Sequence, residues 1–264
     1  RSVRDAARML GVIAGHDVQD PTSLAAPVPD YEQLMESGVA GLRLGWDEDF
    51  ATRDVEPYVA EAIIKAVAYF ESEGATIVEI RVPELEADEA GAWATLAAAE
   101  AAAVHEATFP AKKSEYGTYF REFLTGGRST SSVDLAKAMF ARKRASGRVA
   151  PVFADIDCLV CPTLAAESFR YDPEDAYGGF DLANGSMAGV PLEFFNRSSR
   201  FVTIWDYNGY PTLSLPCGFS PDGIPLCMQL VASPLDESVL CRAGHAYEQA
   251  NTHHLKHPQL TRAF

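Results

Sequence analysis

The residues best suited to hold a small molecule lie between Phe201 and Gly209, where Phe201, Trp205 and Tyr207 are interleaved with Thr203, Asp206 and Asn208. Large rings with a few convergent polar groups make a partly apolar slot that fixes a ligand through a small number of hydrogen bonds. The same rings could equally fill core. Thiols and imidazoles are the other reactive types. Cys158 and Cys161 form a Cys-x-x-Cys pair, but Leu159, Val160 and Pro162 place it in a buried strand, and no second pair completes a zinc site. Cys217 or Cys241 could couple to His245, yet His245 falls on an amphipathic helix as a packed or half-exposed residue. His253, His254 and His257 have metal-ligand spacing in a polar tail without an acidic third ligand. Lys65, Lys137 and Lys143 fall on polar helix faces, and Lys112 and Lys113 follow a proline in a loop, so all five are expected to face solvent.

These groups must be positioned by alternating helices and strands. Ser2 is predicted to cap a first helix, with Asp5 three residues on, a stripe of Val3, Ala6, Ala7, Leu10, Ile13 and Ala14, and Gly15 beyond its end. From Leu42 to Val82 the pattern is strand, helix, strand. Pro57 starts that helix, and Val59, Ala62, Ile63, Ala66, Val67 and Phe70 share one face. Such a βαβ unit points to an α/β fold with helices packed on a mixed sheet. Asp88 to Thr108 is predicted helical and is ended by Pro110. Helices over Tyr116 to Leu124 and Val133 to Ala154 follow, with Thr125 to Ser132 as a polar linker between them.

Asp157 to Thr163 reads as an apolar strand closed by Pro162-Thr163, and Tyr171 to Pro191 as a long surface loop of a kind more often functional than idle. The end of the chain is the most regular part. A turn at Asn208-Gly209 leads into a strand through Leu213 and Leu215; a Pro221-Asp222-Gly223 turn then precedes a β-rich run from Ile224 to Val231. A helix starting at Asp236-Glu237, with Leu240, Ala243 and Tyr247 in period, closes it. No repeat, low-complexity tract or separating linker interrupts the chain, so residues 1–264 are expected to form a single α/β domain.

Composition removes several classes of function. A hydrophobic content of 47% with 22% charged residues is that of a folded globular chain, which excludes global disorder. The net charge of -15 repels nucleic acid and anionic membrane surfaces, so neither is expected as a partner. No run approaches the apolar length of a spanning helix, and Arg1 to Asp5 lacks the apolar core of a signal peptide, so a cytoplasmic location is the default expectation. Five cysteines without regular spacing read as reduced thiols. A nucleotide-binding reading of the βαβ unit lacks any Gly-x-Gly-x-x-Gly or Walker loop after a strand.

The run NGYPTLSLPCGFSPDGIPLCMQLVASPLDESVLCRAGHAYE, from Asn208 to Glu248, resembles the C-terminal signature of the amidase-signature family, whose members break or transfer across C–N amide bonds. Asp157 to Thr163 is similar to that family's Asp-x-Leu-x-x-Pro-Thr strand, and RSVRDAARMLGVIAGHDVQDPTS at the start to the stretch that follows its catalytic core. The resemblance implies the C-terminal part of the amidase-signature fold, with the first residue just downstream of the active-site serine region. It also implies a serine nucleophile, a relaying second serine and a neutral lysine base, all carried on an upstream Gly/Ser-rich segment. Such a lysine must be buried, and the oxyanion needs backbone N–H groups in a glycine-rich turn. Thr125 to Ser132 superficially resembles such a loop, but Arg128 and its place between two helices mark a solvated loop capping the next helix.

What remains for this chain is the substrate wall. By the resemblance, the wall comprises Pro162 and Thr163 with Thr203, Trp205, Asp206 and Asn208, and Arg121 stands where relatives with acidic substrates place an anchor. A surface position on its helix is the plainer reading of Arg121. Many relatives have Asn-Leu-Thr-Gly where Asp206-Tyr207-Asn208-Gly209 stands here. The implied reaction uses no cofactor; the implied partners are a small-molecule amide and an N-terminal amidase segment bearing the Lys and Ser residues, with a homo-oligomer as a further option. Alone, the chain is expected to be inactive. The rival reading is a non-catalytic amidase-like binding or assembly subunit.

Overall fold

The computed structural model describes residues 2–169, 180–181, 186–187 and 190–257. Helix α1 (Val3–Ile13) starts as its sequence predicts: Ser2 Oγ accepts from the Asp5 N–H while Asp5 accepts from the Ser2 N–H, each at 3.1 Å. Val3 and Ala7 are buried, but Ile13, assigned to the same stripe, is 65% exposed. The Val3 N–H donates to Glu248 at 2.9 Å, which ties the chain's beginning to its last long helix.

The βαβ unit forms as expected. Strand β1 (Arg43–Trp46) is followed by the short α2 (Glu48–Thr52), then α3 (Pro57–Ser72), which buries Val59, Ala62, Ile63, Ala66 and Phe70, and β2 (Thr76–Glu79), parallel to β1. Three helices come next: α4 (Ala87–Val104), α5 (Thr118–Ser129) and α6 (Ser132–Val149). Strand β3 (Cys158–Pro162) lies parallel to β1 on its other side.

Most of Tyr171 to Pro191, expected as one surface loop, falls outside the described residues. The described part holds three two-residue strands, β4 (Phe180–Asp181), β5 (Ser186–Met187) and β6 (Val190–Pro191), paired antiparallel in a second sheet. Helices α7 (Leu192–Ser199) and α8 (Thr203–Asn208) lead into the hairpin of β7 (Thr212–Phe219) and β8 (Pro225–Ala232), and α9 (Glu237–Ala250) follows.

The main sheet has the order β2-β1-β3-β8-β7, with the hairpin added antiparallel to β3. All five residues of β3 are buried, so both faces of the central strands are covered. Side chains alternate between those faces. Leu213 and Leu215 pair with Leu230 and Met228 and face α9, since a Cβ built on Gly244 would lie 2.5 Å from Leu213. Thr212 and Ser214 pair with Val231 and Gln229 and face the other way, towards α8.

The expected linker at Thr125 to Ser132 is not a loop. Helix α5 runs through it to Ser129, and only Thr130 and Ser131 remain between helices. Close packing of α5 on α4 overrides the weak helix propensity of two glycines. At Gly127 the α4 backbone comes so near that a Cβ would sit 1.9 Å from the Ala98 carbonyl oxygen, whereas nothing lies within 4 Å of a Cβ at Gly126. Ser131 does cap α6, accepting from the Asp134 N–H at 3.1 Å. Urea unfolding should separate the two glycines. Gly127→Ala is expected to lose about 1–3 kcal/mol by forcing α4 and α5 apart, while Gly126→Ala gains about 0.5–1 kcal/mol from helix propensity.

Candidate functional site

Helix α8 is a single short turn-and-a-half, held from three sides. Gln229 of β8 is buried, and its Nε2 donates to the Pro162 carbonyl at 3.2 Å and to the Phe201 carbonyl. Tyr207 Oη donates to the Glu89 carbonyl on α4, and Arg142 Nε of α6 donates to the Tyr207 carbonyl. Burial pushes the Tyr207 phenol up to about 12, so it is a donor at any physiological pH. Gly209 ends the helix in the left-handed region at φ 68°, where a side chain would be strained.

So fixed, α8 separates two hollows. On the sheet side is a cavity of about 230 Å³ lined by Trp205, Asp206, Tyr210, Thr212 and Gln229. On the helical side is one of about 860 Å³, to which α8 contributes Thr203 and Ile204, α4 contributes Trp93 and Ala94, and α5 contributes Tyr119 and Phe123. The smaller cavity adjoins a polar strip on the sheet: the Thr163 hydroxyl donates to Ser214 Oγ at 3.4 Å beside Gln229 and Thr212. Partial burial raises the Asp206 carboxyl above the ordinary aspartate range, with a hydrogen bond from Trp93 pulling the other way. Trp205 Nε1 and Asn208 Nδ2 are buried without a partner, while Asn208 Oδ1 accepts from the Tyr210 N–H at 3.3 Å.

The expected wall residues therefore divide. Pro162, Thr163, Trp205 and Asp206 gather around the smaller cavity and its strip, and Thr203 faces the larger one. Phe201, Trp205 and Tyr207 are all buried, so their rings also serve as core. Arg121 lies on α5 but not in the lining of either cavity; it donates to Thr118 Oγ1 at 3.1 Å. Gln229 and Ser214 went unrecognised in the sequence. A glutamine interrupting the apolar run Leu226 to Val231 is the signal that could have found the first.

A family model described as Amidase matches residues 1–241. The chain belongs to the amidase family. An amidase from Pseudomonas putida is 35% identical over 260 residues, which is 98% of this chain and 54% of that protein. A glutamyl-tRNA(Gln) amidotransferase subunit from Oceanobacillus iheyensis is 30% identical over 285 residues, covering 98% of this chain and 55% of that protein. Among solved structures, 6-aminohexanoate cyclic dimer hydrolase shares the fold at a TM-score of 0.81 and 22% identity, over 98% of this chain and 55% of that one. A bacterial aryl acylamidase of the amidase signature enzymes family does so at 0.79 and 21%, over 97% and 52%. The chain spans about half the length of the curated relatives it matches.

The groups that amide hydrolysis would draw on can be located in this amidase-family chain. Every lysine, including Lys256, is exposed, and Lys65 pairs with Glu61 at 2.7 Å. Cys158 and Cys161 are buried in β3, where loss of water pushes the Cys161 thiol up to about 12. Cys241 is likewise raised, to about 11, and His245 is buried with Nε2 3.3 Å from Glu36. Among the described residues, no cluster of three His, Cys, Asp or Glu side chains could hold a metal ion, and no helix is long and apolar enough to cross a membrane.

Two substitutions test the hold on α8 and the buried ion pair that joins α4 to α6 beside it. Gln229→Met should cost about 1–3 kcal/mol in urea unfolding, because two buried carbonyls lose a donor. Glu89 is fully buried and takes both Arg148 nitrogens, at 2.6 and 2.5 Å. The Arg148 hydrogen bonds hold the Glu89 carboxyl below its usual range. Its contribution is complete above the unfolded carboxylate value of about 4.3 and is lost as pH falls through the lower folded value. Glu89→Gln should therefore destabilise at pH 7, and the wild-type advantage should shrink in acid denaturation below about pH 4.

Proposed function

We propose that this chain is the scaffold and substrate-wall portion of an amidase that hydrolyses a carboxamide C–N bond to a carboxylate and ammonia or an amine. The nucleophilic serine, relaying serine and lysine base reside on an N-terminal segment beyond these residues. In the reaction the serine oxygen attacks the amide carbon, the amine leaves with a proton, and water then releases the acid from the acyl-enzyme. In this reading Thr163, Trp205 and Asp206 contribute the wall on the sheet side of α8 and Thr203 on its helical side; Asn208 lines neither cavity and acts through the Tyr210 N–H from which its Oδ1 accepts, and Pro162 carries the carbonyl that sets Gln229. The resemblance offers Arg121 as an anchor for an acidic substrate, and its contact to Thr118 Oγ1 outside both cavity linings leaves that role to a substrate arm extending beyond them. A cytoplasmic setting suits five unpaired thiols.

The observation that carries this reading is the family match over residues 1–241 combined with a polar strip and two cavities organised around α8. The local chemistry agrees with it. The lysines are solvated, and Gly126 and Gly127 lie inside a helix, where their N–H groups serve helical bonds rather than an oxyanion. Relatives include a protein named as part of an amidotransferase, which keeps the assembly role as the competing outcome.

The test is reconstitution. The 264-residue chain is incubated with simple aryl and alkyl amides and a serine-directed fluorophosphonate, alone and co-expressed with an amidase N-terminal segment carrying the Lys and Gly/Ser-rich serine loop. Ammonia or amine release and stoichiometric labelling are expected only in the combined sample. Turnover by the chain alone would overturn the reading, and a stable complex without turnover would establish the assembly role instead.

A further inference from the structure

The larger cavity has a character that the wall reading does not use. At about 860 Å³ it lies within the range of pockets that enclose drug-sized ligands, about 300–1,000 Å³. Trp93 and Ala94 on α4, with Tyr119 and Phe123 on α5, make much of it apolar, and the last two rings stack with centroids 6.2 Å apart. The lining is not uniformly apolar. Arg53, Glu84 and Glu122 contribute to it, and so does Arg200, between α7 and α8, with its guanidinium carbon 4.6 Å from the Phe201 ring centroid.

This guanidinium is poorly satisfied. One nitrogen donates to the Arg53 carbonyl, Nε is buried with no acceptor, and no carboxylate of the described residues forms an ion pair with it within 4.0 Å. Neighbouring Arg53 is different, because it pairs with Glu84 and with Asp49 at 3.5 Å. Loss of water, and secondarily the charge of Arg53, lower the Arg200 pKa, while the carboxylates of Asp54, Asp49 and Glu84 act the other way without pairing with it. A cation in this state gains more from a carboxylate than from a neutral acceptor, since charge-assisted hydrogen bonds are roughly twice as strong. Its planar fork also matches a carboxylate better than a lysine would.

We propose that the cavity is a ligand site for an elongated apolar molecule ending in a carboxylate, with Arg200 as the anchor and the α4–α5 rings as the bed for its apolar body. Its role as a substrate subsite rests on the amidase reading: the substrate class is then an amide whose apolar acyl or amine arm bears a distal carboxylate. Binding itself does not depend on that reading.

Isothermal titration of the 264-residue chain at pH 7 with 6-phenylhexanoate, its neutral isostere 6-phenylhexanamide, and acetate tests it. The expected order is 6-phenylhexanoate tighter than 6-phenylhexanamide by about fivefold or more, with acetate not bound. Ala94→Phe, at an exposed lining position, should abolish binding of both aryl ligands while leaving the circular dichroism spectrum unchanged. Arg200→Gln should erase the preference for the acid, and Arg200→Lys, which keeps the charge, should retain part of it. Equal affinity for the two aryl ligands, a preference that survives Arg200→Gln, or no binding would overturn the proposal. Amide turnover in the reconstituted enzyme with none of these binding effects would sink the site alone; the binding effects without turnover would sink the amidase reading and leave the site standing.

Discussion

A buried side-chain amide has to find its partners inside the protein, and Gln229 finds them in the carbonyls of Pro162 and Phe201. That requirement fixes three segments at once. Pro162 ends β3, Gln229 lies on the antiparallel neighbour opposite Cys161, and Phe201 stands at the entry to α8. If β8 slipped by one residue, the pleat would turn the amide to the opposite face, into the leucines beneath α9. The β3–β8 register thus sets where α8 begins, and its contacts to Glu89 and Arg142 fix the rest of it between the two cavities.

Much of this architecture was legible in the sequence where local chemistry and periodicity agree. Ser2 and Asp5 announce α1, Pro57 and its apolar face announce α3, and the Pro221-Asp222-Gly223 turn announces the hairpin. The failures share a cause. Helix α5 crosses Gly126 and Gly127 because Ala98 of α4 accepts a backbone approach that only glycine permits, a tertiary gain invisible to propensity. Helix α8 is too short to show a period, and its stability comes from Glu89, Arg142 and Gln229, distant in sequence. The candidate wall was found through resemblance and its aromatic content, but the sorting of Thr203 to one cavity and Asp206 to the other depends on how α8 is rotated, which those long-range contacts decide.

The cations are divided in a way that net charge conceals. Every lysine is exposed, whereas arginines reach inward to backbone carbonyls: Arg242 to Gly38 and Ala40, Arg142 to Tyr207, Arg43 to Asp155. A guanidinium is more weakly hydrated than an ammonium and presents several donors in one plane, so it can tie loop carbonyls at lower desolvation cost. Much of the arginine is thus structural stitching, and the excess of carboxylates lies mainly on the surface. Arg200 is the exception within this group because its carbonyl contact leaves a buried donor unused.

Among the described residues β2 and β7 are the outer strands of the main sheet, and their make-up bears on how this chain meets other protein. Strand β2 is four residues long, and β7, though eight, carries Pro216, which has no N–H, and a register shift between Pro216 and Gly218. Both devices oppose edge-to-edge pairing. Apolar exposure is greater elsewhere: Met9, Val12 and Ile13 on α1 are 60%, 82% and 65% exposed. Covering this face of α1 would remove apolar surface from water at roughly 25 cal/mol per Å². The polar strip of Thr163, Ser214 and Thr212 lies near the β7 edge but on the face turned towards α8, away from the α9 face. Contact through α1 thus leaves it accessible.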